Sequence, residues 1–146
     1  MMSKKFFICS TGLKLNEFCM PKRWTAEAFE VRPSTIFKAG NGLFSLVNIN
    51  LEDTIGYYTG KILDNNDFHD PKCPSSNYFL YLCNNHIILG EGPLANYTRY
   101  INHSSKKPNA FLITSTRWKT ARLEAIKSIS PGEEIFYNYG DDYWEN

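Results

Sequence analysis

Short bursts of hydrophobic and polar alternation run along this chain, and turn residues cut them off at close intervals. The pattern predicts strands at residues 29–32, 42–47, 55–63, 78–83, 86–89, 110–114, 120–125 and 134–137. Between two of these runs, Asn84-Asn85 reads as a hairpin turn, because asparagine tolerates positive φ. Residues 64–76 are polar, carry Pro71 and Pro74, and read as an exposed loop. Helical turns are expected only at residues 25–29 and at 94–101, just after Pro93. No stretch has the period of a long amphipathic helix, which argues against bundles and doubly wound folds. The expectation is a mostly β domain of short strands, without internal repeats or low-complexity segments.

Length and composition narrow this further. A chain of 146 residues and 16.8 kDa leads us to expect one domain, large enough to fold around its own core. With 42% hydrophobic, 21% charged and 15% aromatic residues, disordered, collagenous and linker-like classes are excluded. The ten Phe, nine Tyr and three Trp suit strands and a ring-lined pocket. No apolar run approaches the roughly 20 residues of a membrane span, so no membrane partner is expected. The net charge of +1 carries no nucleic-acid footprint, and no direct nucleic-acid binding is expected. The charge is unevenly spread, however. From Lys127 onward one base faces Glu133, Glu134, Asp141, Asp142 and Glu145, a balance of −4 against +5 for the rest. Such a rim could steer a cationic peptide or simply be solvated surface.

Cys9, Cys19, Cys73 and Cys83 include no Cys-x-x-Cys spacing, so no zinc site is expected. The apolar run Phe6-Phe7-Ile8-Cys9 is too short for a secretory signal, which points to reduced thiols and an intracellular location. On that reading the sequons at Asn96 and Asn102 are coincidental.

Four segments carry candidate chemistry. Lys38-Ala39-Gly40-Asn41-Gly42-Leu43-Phe44 contains a Gly-x-Gly that can bend tightly and present backbone to a ligand, or serve as an ordinary turn. Ile55-Gly56-Tyr57-Tyr58-Thr59-Gly60 pairs two tyrosines, which by themselves read as packing. Arg99-Tyr100-Ile101-Asn102-His103-Ser104, with Pro108-Asn109 behind it, offers adjacent donors and acceptors that could read a purine edge or cap a turn. Pro131-Gly132-Glu133-Glu134-Ile135-Phe136-Tyr137-Asn138-Tyr139-Gly140 sets two phenols near a tight turn.

In this order, the four segments resemble the SET-domain protein lysine methyltransferases. The resemblance runs from about Phe29 to Trp144, and the short length and Gly-Asp-Asp-Tyr-Trp ending look like the compact viral members. It implies a mostly β, β-clip-like fold with a C-terminal pseudoknot in which the last strand threads a loop, against the usual rule. The division would be an N-terminal extension at 1–28 and the SET domain at 29–146, with an insertion at about 64–77. It also implies S-adenosylmethionine (SAM) as cofactor. Gly40, Asn41 and Gly42 would meet its methionine end, Asn102 and His103 its adenine and amino-acid portions, and Arg99 would support that segment. Tyr139 matches the catalytic tyrosine and adjoins the cofactor. Tyr58 and Tyr137 match the channel that admits the target lysine from the opposite face.

Three departures bear on those expectations. Ser105 stands where zinc-bearing members have Cys, and no terminal Cys triplet follows, so no zinc is expected. Tyr143-Trp144 could close the pocket instead, with Trp144 as a lid ring over the cofactor. Glu52-Asp53-Thr54 replaces a turn that usually holds glycine, and Asn138 replaces a common Asp beside the catalytic tyrosine, where it could alter contacts to the substrate tail. The resulting expectation is a SAM-dependent lysine N-methyltransferase of a basic protein tail, foremost a histone, favouring lower methylation states and acting in the nucleus or on chromatin. The rivals are methylation of a non-histone protein and a catalytically silent peptide-binding module. A homodimer using residues 1–28 is a further partner that the resemblance allows.

Overall fold

The computed structural model describes residues 20–82 and 85–140, in three small sheets. β1 (Phe29–Pro33) and β2 (Asn41–Ser45) form an antiparallel pair. β3 (Thr54–Tyr58), β9 (Thr120–Ala125), β8 (Ala110–Ser115), β10 (Phe136–Tyr137) and β7 (Asn102–His103) form the largest sheet, in that order. β4 (Lys61–Asp64), β6 (His86–Leu89) and β5 (Phe79–Leu82) form the third. Short 3₁₀ turns occupy Ala26–Ala28 and Tyr97–Tyr100, within the two segments where helical turns were expected.

Two local readings change. The expected strand at 55–63 is two strands in different sheets, β3 beside β9 and β4 beside β6. The break falls at Thr59-Gly60, where the chain passes so close to the Leu89 backbone that a side chain at Gly60 would strike it. The expected loop at 64–76 contains α1 (Asn65–His69). Its periodicity is too brief to read, but Asp64 and Asp67 form a reciprocal capping box across its first turn. Phe68 pins the turn edge-on to Phe79, with ring centroids 5.1 Å apart. Asn85 has φ 58°, as a hairpin turn requires, while Asn84 and Cys83 lie outside the described residues.

The principal core is built from β2, β3 and β9 together with residues of the connecting segments. Leu43, Ile49, Ile55, Ile101, Leu123, Ile129 and Ile135 are all at most 1% exposed. The chain ahead of Phe29 joins this body. Trp24 donates its backbone N–H to the Thr54 carbonyl, and Ala28 is buried in the core. Buried Asp53 accepts from the Lys22 and Asn50 amides and from the Trp24 indole, at 2.8, 3.0 and 2.9 Å. The departure at Glu52-Asp53-Thr54 thus has a local structural use: the carboxylate collects three donors.

The feature that positions the site is β10. It runs parallel to both β7 and β8 and lies between them. Residues 104–109, which join β7 to β8, must therefore pass around it, and this is the threaded arrangement implied by the resemblance. Two-residue strands offer little ladder, so side chains complete the seam. Asn109 donates to the Glu134 carbonyl and accepts from the Phe136 amide, both at 2.8 Å.

Candidate active site

A cavity of about 440 Å³ opens where β7, the end of β10 and the loop between β1 and β2 meet. Asn41, Arg99, Asn102, His103 and Tyr139 line it, so five of the expected site residues converge from three separate stretches of sequence. Ile36 and Ala39 close it from the β1–β2 loop, and Asn77, Tyr78 and Tyr100 from the other side.

Backbone pairing sets the geometry. Asn102 and His103 sit opposite Phe136 and Tyr137, and the register carries on through the Tyr139 amide, which donates to His103 Nδ1 at 3.0 Å. A neutral His103 ring accepting at Nδ1 carries its proton on Nε2. The rings of His103 and Tyr139 meet edge-on at 5.2 Å, and the Tyr139 hydroxyl donates to the Ile101 carbonyl at 2.7 Å. Asn102 spends its amide on the Asn41 carbonyl at 2.9 Å, tying β7 to the Gly-x-Gly strand.

Arg99 is held between rings. Its guanidinium lies 5.0 Å from the Tyr78 ring centre and 4.8 Å from that of Tyr100. It donates to the Tyr100 hydroxyl at 2.7 Å and to the Gly90 carbonyl at 3.2 Å. The bond to Tyr100 moves the guanidinium further above its ordinary pKa, so it is a permanent cation on the cavity wall.

The remaining expected residues lie elsewhere. Gly40 ends the loop at φ +74°, a conformation that favours glycine. Gly42 is buried in β2, where an added Cβ would strike the Glu134 carboxyl and come within 3.3 Å of Asn102 Nδ2. Tyr137 is buried in the principal core, its ring 4.5 Å from that of Tyr139. Tyr58 is buried among Leu80, Leu82, Ile88 and Ala121 and donates its hydroxyl to the Tyr78 carbonyl at 2.9 Å. Trp144 lies outside the described residues. Among the described residues no cluster of His, Cys, Asp or Glu is arranged to hold a metal ion.

Sequence reasoning assigned no site role to Tyr78, Tyr100, Asn109 or Glu134. Tyr100 and Asn109 stood inside or just behind a quoted motif. Tyr78 begins a strand predicted from its hydrophobicity, which does not report that it faces a cavity. Glu134 is buried, and burial pushes its carboxyl up. Hydrogen bonds from Ser34, Thr35 and Asn102 outweigh that and hold it below the ordinary glutamate value.

Comparison with known proteins agrees with this architecture. The SET domain matches residues 40–140, and the chain belongs to that family. It is 28% identical over 135 residues to the histone-lysine N-methyltransferase EZH2 of Chaetomium thermophilum, covering 84% of this chain and 9% of that protein. It is 30% identical over 140 residues to a SET domain-containing protein of Phaeosphaeria nodorum, covering 90% of this chain and 22% of the relative. The crystal structure of KRYPTONITE in complex with mCHG DNA and SAH superposes with a TM-score of 0.62 at 28% identity, covering 77% of this chain and 23% of that one. The chain thus spans less than a quarter of each of these relatives.

Proposed function

We propose that this chain is a SAM-dependent protein-lysine N-methyltransferase acting on a basic protein tail, foremost a histone, with a bias to lower methylation states. The observation that carries the reading is the convergence of Asn41, Arg99, Asn102, His103 and Tyr139 on one cavity. Its volume of about 440 Å³ lies within the roughly 300–1,000 Å³ typical of cofactor sites. The donor set fits the cofactor chemically: amide and imidazole groups for a purine and an amino acid, a fixed cation for a carboxylate, and aromatic faces.

When bound, SAM would supply an electrophilic methyl group. The work left to the protein is to hold that group and to deliver a neutral amine. A lysine of pKa about 10.4 is neutral only about 0.04% of the time at pH 7, a cost of roughly 4.6 kcal/mol before any attack. Burial beside Tyr137 and Tyr139, whose rings lie 4.5 Å apart, disfavours the ammonium and lowers that cost. The Tyr139 hydroxyl, fixed on the Ile101 carbonyl, gives the site an oriented polar group. Holding the amine in line converts a bimolecular collision into a positioned encounter.

A histone target would give the protein a nuclear or chromatin location. Incubation with methyl-labelled SAM, a panel of histones and whole-cell extract tests the reading. Labelled histone is the expected product. Label confined to another protein would replace the substrate class, and SAM binding without any transfer would favour the silent peptide-binding module.

A further inference from the structure

Glu134 belongs to a sequence motif, yet the function proposed above assigns it no task. Its carboxylate is the meeting point of two elements that contribute to the cavity wall. Oε1 accepts from the Ser34 hydroxyl at 2.6 Å and from Asn102 Nδ2 at 3.3 Å. Oε2 accepts from the Thr35 amide at 2.8 Å and the Thr35 hydroxyl at 2.5 Å. Ser34 and Thr35 begin the loop whose later residues Ile36 and Ala39 line the cavity, and Asn102 lines it directly. The same Asn102 amide reaches the Asn41 carbonyl at 2.9 Å.

Gly42 gives independent support. It has ordinary strand geometry, and what forbids a side chain there is the space taken by the Glu134 carboxyl and Asn102. The second glycine of the Gly-x-Gly is therefore explained by this carboxylate without invoking a ligand.

We propose that Glu134 is a positioning residue for the cofactor cavity, clamping the 34–40 loop and Asn102 into one wall. This rests on the methyltransferase reading for the identity of the ligand, while the clamp itself is a property of the free protein. Every group donating to it is neutral and comes from the loop or from β7, so one acidic side chain fixes two elements distant in sequence. Charge-assisted bonds of this kind are about twice as strong as neutral ones.

The test compares wild type with Glu134→Gln, which keeps the shape but loses the charge and half of the accepting capacity. Calorimetry should show SAM binding weakened about tenfold, and initial rates should put the loss on the KM for SAM rather than on kcat. Hydrogen exchange in the absence of cofactor should show the Thr35 amide exposed faster in the variant. Should Glu134→Gln fail to fold, the double variant Ser34→Ala, Thr35→Val approaches the clamp from its exposed side and should show the same losses. A folded variant with wild-type SAM affinity and wild-type Thr35 protection overturns the clamp. A wild-type protein that binds no SAM overturns the methyltransferase reading instead, whatever the exchange data show.

Discussion

Asn109 treats Phe136 as a neighbouring strand would. Its side-chain oxygen accepts from the Phe136 amide and its side-chain nitrogen donates to the Glu134 carbonyl, each at 2.8 Å and both buried. β10 has only two ladder residues, and this amide supplies two of the bonds that seat it between β7 and β8. Asn109→Ala leaves a donor and an acceptor unpaired, at about 1–3 kcal/mol each. We expect its melting temperature to fall by on the order of 10 °C. Asn109→Asp keeps the bond to Phe136 but faces a carboxylate toward a carbonyl, so thermal denaturation should place it near the alanine variant. A melting point within two or so degrees of wild type would show the threaded strand to be held by packing alone.

Asp53 makes a comparable anchor for the chain ahead of β1. Asp53→Ala strips partners from the Lys22 and Asn50 amides and from the Trp24 indole. A stability loss of about 3 kcal/mol is expected, measured by urea titration. Trp24 should become more solvated, so tryptophan emission should shift to the red before the global transition. Identical native-state spectra would show that Trp24 is held without the carboxylate.

Glu134 sets a pH dependence with a definite sign. Its folded pKa lies below the ordinary glutamate value, because hydrogen bonds from Ser34, Thr35 and Asn102 outweigh the burial that pushes it up. Its contribution is therefore fully present above about pH 4.3 and fades as the pH falls through the lowered folded value. Subtracting Glu134→Gln from wild type removes the other carboxylates, which titrate in both proteins. The difference in melting temperature should be largest near neutrality and shrink only at acid pH. A difference that stayed constant down to pH 3 would mean the carboxylate is not what Ser34 and Thr35 hold.

Much of this molecule was legible in its residues, and the reasons are local. Asn102, His103 and Tyr139 stand in the tight motifs that carry the resemblance, so their convergence on one cavity could be expected from it. A short strand such as β9 carries clear two-residue periodicity, and Asn85 advertises its turn. What escaped was decided at long range. Nothing in 55–63 reports that β3 and β4 would choose different partners, because that choice lies with Arg122 and Ile88 on other strands. Threading leaves no periodic trace at all and was reached only through the family. Glu134 resembles any surface glutamate until Ser34 and Thr35, about a hundred residues earlier, fold onto it.

Catalysis should depend on Tyr139 more than on any other side chain. Tyr139→Phe loses the hydrogen bond to the Ile101 carbonyl, while keeping the ring contacts with His103 and Tyr137. The fold and most SAM affinity should therefore survive. Methyl transfer should fall by about a hundredfold or more, the scale of one lost oriented polar group in a transition state. Near-normal turnover, measured with labelled SAM, would remove Tyr139 from the chemistry.

The number of methyl groups added should depend on Tyr137. This residue is 8% exposed, belongs to the principal core, and sets its ring 4.5 Å from that of Tyr139. In the lysine channel that the resemblance assigns to these phenols, rings this close would leave little spare volume, and interiors packed to crystal density do not yield it cheaply. Each methyl added to the lysine nitrogen must then be turned aside before the next can be accepted, which needs space beside the phenols. A hydroxyl at position 137 occupies that space and can hold the amine or a water in place, so the reaction should stop chiefly at monomethyl-lysine. Tyr137→Phe removes one oxygen and leaves the ring, so the core stays filled and activity should persist. Its products should move toward di- and trimethyl-lysine. Mass spectrometry of a methylated peptide under single and multiple turnover reads the distribution directly. If wild-type protein readily makes trimethyl-lysine, product control lies with other groups, Tyr58 and the channel's carbonyls first among them.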